Sequence, residues 1–267
     1  MSSAETSMLD SRQASIPLVV DLDGTLTPTD TLVESVLLLA KQSPLELFRL
    51  PLWLARGREV MKSEIARRVT VAPEQLPYRE DLLDYLRAEK AAGRELVLAT
   101  AAHRSIADGV AQHLGLFDRV LATDEARNLK GVNKLAAIRE EVGPVFAYAG
   151  DSSADLAVWE SAQTAVLVGA SSSLARIVRS RHPIEREFAQ PAASLGTWRK
   201  ALRMHQWAKN LLLFVPLLTA FSFALDDLAT MLLAFLCFST AASATYIAND
   251  LWDLGNDRLH PVSYTHL

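Results

Sequence analysis

Asp21 and Asp23 stand two residues apart in Asp21-Leu22-Asp23-Gly24-Thr25-Leu26-Thr27, directly on the apolar run Leu18–Leu22. Thr100 follows a second apolar run, Glu95–Ala99. Gly150-Asp151-Ser152-Ser153-Ala154-Asp155 follows a third, Val145–Ala149. Lys134 begins a helical pattern after Gly131; Lys130 competes with it from a poorer position. Carboxylates gathered at one place repel unless a cation lies between them. An all-oxygen set suits a hard divalent ion, most simply Mg²⁺, with Asp21, Asp23, Asp151 and Asp155 as the metal set and Asp155 as the outer, orienting member. Asp21 can then attack phosphorus to give an aspartyl phosphate. Asp23, on the same side of an extended strand, can protonate the leaving oxygen and later activate water. Thr100 and Lys134 can hold the transferring oxygens. The matching partner is a small phosphate ester.

These side chains need a frame that brings them to one edge. Strand-like runs occur at Leu18–Leu22, Glu95–Ala99, Arg119–Ala122, Val145–Ala149 and Thr164–Val168, with helical patterns at Arg104–Leu114, Lys134–Val142 and Ser153–Ala162. Alternating strands and helices predict an α/β fold with a doubly wound parallel sheet. Ligands of such sheets sit beyond the carboxyl ends of the strands, where each chemical residue falls. Between Thr27 and Glu95 comes a largely helical insertion, Asp30–Gln42, Pro44–Ala55, Glu59–Val69 and Tyr78–Ala92. Its Arg56, Arg58, Arg67 and Arg68 suit either an anionic substrate or solvated faces. Trp53, in the apolar stretch Leu45–Gly57, suits either internal packing or a bilayer anchor. His103 and Arg104 suit either the pocket or a helix start.

The rest of the chain has another character. Residues 196–267 carry only five acids and five bases. Two apolar runs, Leu211–Leu225 and Leu228–Ala248, are separated by Asp226 and Asp227, which predicts an α-helical transmembrane hairpin in a lipid bilayer. A buried helical pair in a soluble domain is the other reading. Eight Lys or Arg between Leu174 and Asn210, against two Asp in the short loop, place the N-terminal domain in the cytoplasm by the positive-inside rule. The expected location is therefore a bacterial-type inner membrane, multi-pass. The net charge of −4 gives no reason to expect nucleic acid as a partner. A single cysteine, Cys237, excludes an internal disulfide. Beyond the second apolar run, Asn249, Asp250, Asp253 and Asp257 share roughly one face if the helix continues. Acids there suit Mg²⁺ with a phosphate or diphosphate as the other ligand.

The ordered set DLDGTLT, Thr100, Lys134 and GDSSAD resembles the haloacid-dehalogenase phosphatase superfamily. The resemblance implies phosphate-ester hydrolysis under a closing helical cap, about residues 28–94. Arg203, Gln206-Trp207 and Lys209-Asn210, with the NDxxDxxxD run, resemble the UbiA-type polyprenyltransferases. That resemblance implies substrate contacts from Arg203, Lys209 and Asn210. It also implies that Asn249, Asp250, Asp253 and Asp257 hold Mg²⁺ and a polyprenyl diphosphate or polyprenyl phosphate. The Gln-Trp-x-Lys-Asn form looks closest to the branch that moves phosphoribosyl groups onto polyprenyl phosphate. The expected organisation is a disordered tail, 1–15; a hydrolase domain, 16–188; a linker, 189–202; and the first two membrane helices of a prenyltransferase, 203–261. The last six residues, VSYTHL, resemble a translated sequencing adapter and are expected to be non-native. The transferase part is expected to be incomplete and inactive on its own. A different class of reading makes the first domain a non-catalytic regulatory or tethering module of a membrane prenyltransferase. A third passes the aspartyl phosphate to an acceptor other than water.

Overall fold

A computed structural model describes residues 16–124, 127–189, 194–221 and 224–259, without the side chains of 255–257 and 259. The expected tails, 1–15 and 262–267, lie outside the described residues. The chain forms two compact units, Met1–Gln190 and Pro191–Leu267.

The first unit is built on a six-stranded parallel sheet. Its strands are β1 (Leu18–Val20), β2 (Leu96–His103), β3 (Arg119–Thr123), β4 (Ala147–Gly150), β5 (Thr164–Val168) and β6 (Ile184–Phe188). The order is β3-β2-β1-β4-β5-β6, so the chain reverses its direction of growth between β1 and β4. Strand β1 is buried on both faces, which explains its unbroken apolar run. One core joins Leu18, Val20, Leu98 and Val166; the other joins Val19, Val97, Tyr148 and Trp159. Strand β6 was not expected from the sequence. It is an edge strand, and Glu185, Arg186 and Glu187 in its middle give it no apolar alternation to read.

The insertion contributes α1 (Thr31–Gln42), a 3₁₀ turn (Pro44–Arg49), α2 (Leu50–Ala55), α3 (Arg58–Ala66) and α4 (Glu80–Ala91). Asp30 caps α1 by accepting from the amides of Leu32 and Val33. Leu39, Trp53, Ile65 and Val69 give the first three helices a small core of their own. Trp53 is buried there under the Arg68 guanidinium, 4.5 Å from its ring centre, so it is no bilayer anchor. Helix α4 belongs elsewhere: its Leu82, Leu83 and Leu86 pack with β1 and β2. The sheet helices are α5 (Arg104–Leu114), α6 (Val132–Glu141), α7 (Leu156–Trp159) and α8 (Ser172–Arg181).

The second unit holds α9 (Leu195–Ala201), a long 3₁₀ stretch (Met204–Phe214), α10 (Val215–Thr219) and α11 (Leu225–Leu259). Part of the expected linker is thus helical, with Ser194 capping α9 through the Thr197 amide. Among the described residues, one helix is long and apolar enough to cross a bilayer, over Leu225–Leu254. The hairpin is realised only in part. Pro216 sits at the start of α10 and cannot donate to the preceding turn, so the first apolar run is a 3₁₀ stretch and a short helix. Asp226 and Asp227 lie in the first turn of α11 rather than in a loop. Acids are favoured there by the exposed amides and the helix dipole.

Candidate active site

The switch in strand order puts the ends of β1 and β4 side by side. The Asp21 amide donates to the Ala149 carbonyl at 3.0 Å, which brings Asp21 next to Gly150 and Asp151. Carboxylate oxygens of Asp21, Asp151 and Asp155 all lie within 4.8 Å of one another. Lys134, from the first turn of α6, enters this cluster with Nζ 2.9 Å from Asp21 Oδ2 and 3.5 Å from Asp155 Oδ1. Four of the sequence-predicted residues therefore converge. Lys130 stays exposed at the rim of the same cavity.

Burial and crowding set the charge state. Burial raises the Asp21 carboxyl to about 7, against the pull of Lys134 and with help from Asp155 and Asp23. Burial and Asp155 raise Asp151 to about 6. Burial alone would lower the Lys134 ammonium, but Asp21 and Asp155 outweigh it and raise it. Three carboxylates against one ammonium leave a deficit of positive charge at an all-oxygen site. That fits a hard divalent cation. Asp155 is already engaged: its Oδ1 accepts from the Tyr148 hydroxyl at 2.7 Å, and its Oδ2 from the Ser152 amide and hydroxyl. It therefore contacts both Lys134 and the loop after β4.

Asp23 lines the cavity, yet its carboxylate is turned away from the acidic cluster. Its Oδ1 accepts from the Thr31 amide at 2.7 Å, at the start of α1. Burial raises its pKa against that hydrogen bond, which suits a group that must carry a proton. It is not among the carboxylates that lie within 4.8 Å of one another, so the cluster does not include it as a metal ligand. Thr100 also differs from expectation. Strand β2 continues to His103 instead of ending at Ala99, with a register shift against β3 between Ala99 and His103. Thr100 is consequently fully buried, accepts from the Ala102 amide at 3.0 Å, and does not line the cavity. His103 takes the helix-start role, accepting from the Ser105 amide, and lines the cavity as well. Arg104 faces Asp124 instead.

Several working residues escaped the sequence reading. Tyr148 looked like plain core, but its hydroxyl receives a hydrogen bond from Lys134 at 3.0 Å and donates to Asp155. A phenol inside a buried strand, two residues before the Gly-Asp turn, was the available signal, since such an O–H demands a partner. Thr25 donates to Asp151 at 3.3 Å. Lys62, on α3, donates to the Ala101 carbonyl at 2.6 Å and so ties the insertion to β2. Asn128 donates to Glu59 and makes a second tie.

Gly24 occupies a position where a side chain would be strained and would displace Asp151. Its φ is +79°, and a Cβ there would lie 2.3 Å from Asp151 Oδ2. Gly24→Ala is expected to push Asp151 aside and weaken metal binding about 10–100-fold. The Mg²⁺ dependence of turnover measures this; an unchanged half-saturating Mg²⁺ concentration would show that Asp151 is not a ligand.

Within the second unit, Arg203 Nη2 lies 2.7 Å from Asp250 Oδ1, and its guanidinium stacks on Tyr246 at 4.8 Å. Trp207 donates to Ser243 at 3.0 Å and Asn210 to Ser239 at 2.9 Å. Lys209 lines a small cavity with Arg203, Trp207 and Asn210. Asn249 donates to Asp253 at 3.1 Å. The Asp257 side chain lies outside the described residues.

Residues 18–160 match the family model for haloacid dehalogenase-like hydrolase. The chain belongs to that family. It is 42% identical over 258 residues to the uncharacterized protein y4nM of Sinorhizobium fredii, covering 94% of this chain and 49% of that relative. The chain thus spans about half the length of that relative. It is also 40% identical over 78 residues to the decaprenyl-phosphate phosphoribosyltransferase of Mycobacterium tuberculosis, 27% of this chain and 26% of that protein. A solved structure of a protein of unknown function from Bordetella pertussis Tohama I superposes with a TM-score of 0.50 at 20% identity. It covers 64% of this chain and 98% of its own, and likeness at that level concerns the fold alone.

Proposed function

We propose that the first unit is a Mg²⁺-dependent phosphomonoester hydrolase working through an aspartyl phosphate. The observation that carries this is Asp21, held 2.9 Å from Lys134 inside a three-carboxylate cluster at the floor of a cavity. Asp21 and Asp151 would hold the ion, which would neutralise charge on the phosphoryl oxygens when bound. An Asp21 oxygen attacks phosphorus and the ester P–O bond breaks, leaving phosphate on Asp21. Asp23 gives its proton to the departing alkoxide. Asp23 then takes a proton from water, whose oxygen attacks phosphorus and expels the Asp21 carboxylate with inorganic phosphate. Lys134 keeps its proton and offers N–H groups to the transferring oxygens. Thr100 holds the Ala101–Ala102 peptide against the cavity.

The proton linkage gives the test. Metal binding needs Asp21 and Asp151 ionised, whereas without metal they titrate at about 7 and about 6. Mg²⁺ affinity should therefore rise steeply between roughly pH 5 and 7.5, with proton release on binding. Calorimetry in two buffers reads both effects. No phosphomonoester turnover with Mg²⁺ would reject the reading and favour a non-catalytic tether; turnover indifferent to chelator would reject the Mg²⁺ dependence.

The second unit is proposed to be part of a membrane-bound polyprenyl-phosphate-handling protein, with the hydrolase unit in the cytoplasm. The long helix, the Arg203–Asp250 pair and the 78-residue likeness to a decaprenyl-phosphate phosphoribosyltransferase support this. Mg²⁺ and a polyprenyl phosphate or diphosphate are its proposed ligands, through Asp250, Asp253 and Asp257 with Asn249. Transfer of a phosphoribosyl group to a lipid phosphate leaves a sugar 5-phosphate, the kind of monoester a fused phosphatase would remove. Fusion raises the local concentration of the second activity. The full chain should sediment with membranes and resist a carbonate wash; release by carbonate would exclude a spanning helix.

A further inference from the structure

The cavity above Asp21 is larger than a phosphoryl group needs, at about 660 Å³. That is the range of cavities that enclose a whole organic ligand (roughly 300–1,000 Å³). Its floor is Asp21, Asp151 and Lys134, and apolar side chains such as Leu32, Met61 and Ile106 line it too. Two further cations line it. Arg58 opens α3 on the insertion, and Lys130 lies in the loop before α6. Both are exposed, and neither makes an ion pair among the described residues. The neighbouring cations differ. Arg68 is satisfied by Glu46 and Glu64, and Arg104 by Asp124. Lys62 is committed to the Ala101 carbonyl. One phosphomonoester would be met at the floor by Lys134 and by the ion that Asp21 and Asp151 would hold, so Arg58 and Lys130 are surplus to it.

The apolar lining also leads out of the cavity. Leu54 lines it and is 50% exposed. Leu52, in the same helix, and Phe48, in the preceding turn, are more exposed still. Apolar surface therefore continues from the cavity wall to the outside of the insertion.

We infer that the substrate is an amphiphile with two anionic groups. One is a terminal phosphomonoester, cleaved at Asp21. The other is a phosphodiester received by Arg58 and Lys130, whose apolar chain leaves past Leu54. Water supplies the oxygen to the phosphoryl group, the terminal P–O ester bond breaks, the alcohol leaves with a proton, and the phosphodiester stays intact. A lipid-phosphate-linked sugar phosphate has this chemistry. The inference rests on the phosphatase reading and adds the substrate class to it.

The test uses the full chain in detergent with Mg²⁺ and two synthetic ribose 5-phosphates. One carries a geranyl phosphodiester at the anomeric carbon; the other carries a geranyl ether there, with the same chain but no second charge. The expected result is a kcat/KM preference of roughly 10–100-fold for the phosphodiester. In the Arg58→Ala/Lys130→Ala double variant that preference should collapse to within about threefold, mainly through KM, and Arg58→Lys should retain much of it. Equal kcat/KM for the two compounds in the unaltered protein would overturn the inference while leaving the phosphatase reading standing. A preference that survives in the double variant would do the same. Hydrolysis of neither compound would overturn both.

Discussion

Asp21→Asn is expected to remove essentially all phosphatase turnover from a protein that still folds. Asparagine is isosteric, and its amide oxygen can still accept from Lys134, which lies 2.9 Å from the present carboxylate. Its amide is no nucleophile toward phosphorus, so the covalent step is lost. The variant also relieves like-charge crowding with Asp155 and Asp23, which helps raise Asp21 to about 7. In the absence of metal it should be at least as stable as the parent at pH 8. Asp23→Asn tests a separate role. The amide oxygen can keep the hydrogen bond from Thr31, so the junction with α1 survives. Proton transfer to the leaving group is lost, at about 10²–10⁴-fold in kcat. That deficit should shrink for an aryl ester whose leaving group needs no proton. The measurement is steady-state hydrolysis of an alkyl and an aryl phosphate by each variant. Wild-type-like turnover in Asp21→Asn would remove the covalent mechanism.

The same residues show what a sequence can and cannot display. Asp21, Lys134 and Asp151 were legible because each follows a strand or turn whose pattern is local: a doubly buried apolar run, a glycine turn, a Gly-Asp turn. The topology then did the convergence, since β1 and β4 are neighbours and their C-terminal ends coincide. Thr100 was misjudged because β2 runs four residues past its apolar stretch, and only pairing with β3 reveals that. Asp23 was assigned by strand alternation, but the chain leaves the strand after Val20 and its carboxylate accepts from the Thr31 amide. Tyr148 was hidden because an aromatic ring satisfies a core pattern whether or not its hydroxyl has work to do. The expected hairpin is realised only in part, because Pro216 interrupts a run that hydropathy alone reads as continuous.

Arg94→Ala is expected to destabilise the first unit by about 3–5 kcal/mol, the cost of stripping the partner from a buried charge. Arg94 is 1% exposed and ties together three parts of the fold. Its Nε donates to the Ile16 carbonyl at 2.8 Å, just before β1, and its Nη1 reaches Glu89 on α4 at 2.7 Å. It also makes a two-pronged pair with Glu185 on β6. Glu185 in turn accepts from Tyr85 at 2.5 Å and from Thr164 at 2.7 Å. Burial would raise Glu185, but the hydrogen bonds from Arg94 and Tyr85 outweigh it and hold the carboxyl below its usual range. A depressed carboxyl stabilises the fold above its unfolded pKa, and that contribution is lost as pH falls through the folded pKa. Without Arg94 the largest opposing influence is gone and burial dominates, so the sign reverses. Relative to the parent, the variant should then lose further stability as pH rises from about 4 to 8, whereas in the parent the Glu185 contribution is complete once pH exceeds its unfolded value of about 4.5. Urea titration at several pH values reads the reversal. Arg94→Met combined with Glu185→Leu should recover most of the loss, because a matched apolar pair leaves no unpaired charge. If Arg94→Ala alone unfolds as the parent does across that range, the pair is a surface-like contact and does not hold the entrance to β1. The expected loss ties stability back to function, since Asp21 follows that strand directly and its position depends on where β1 begins.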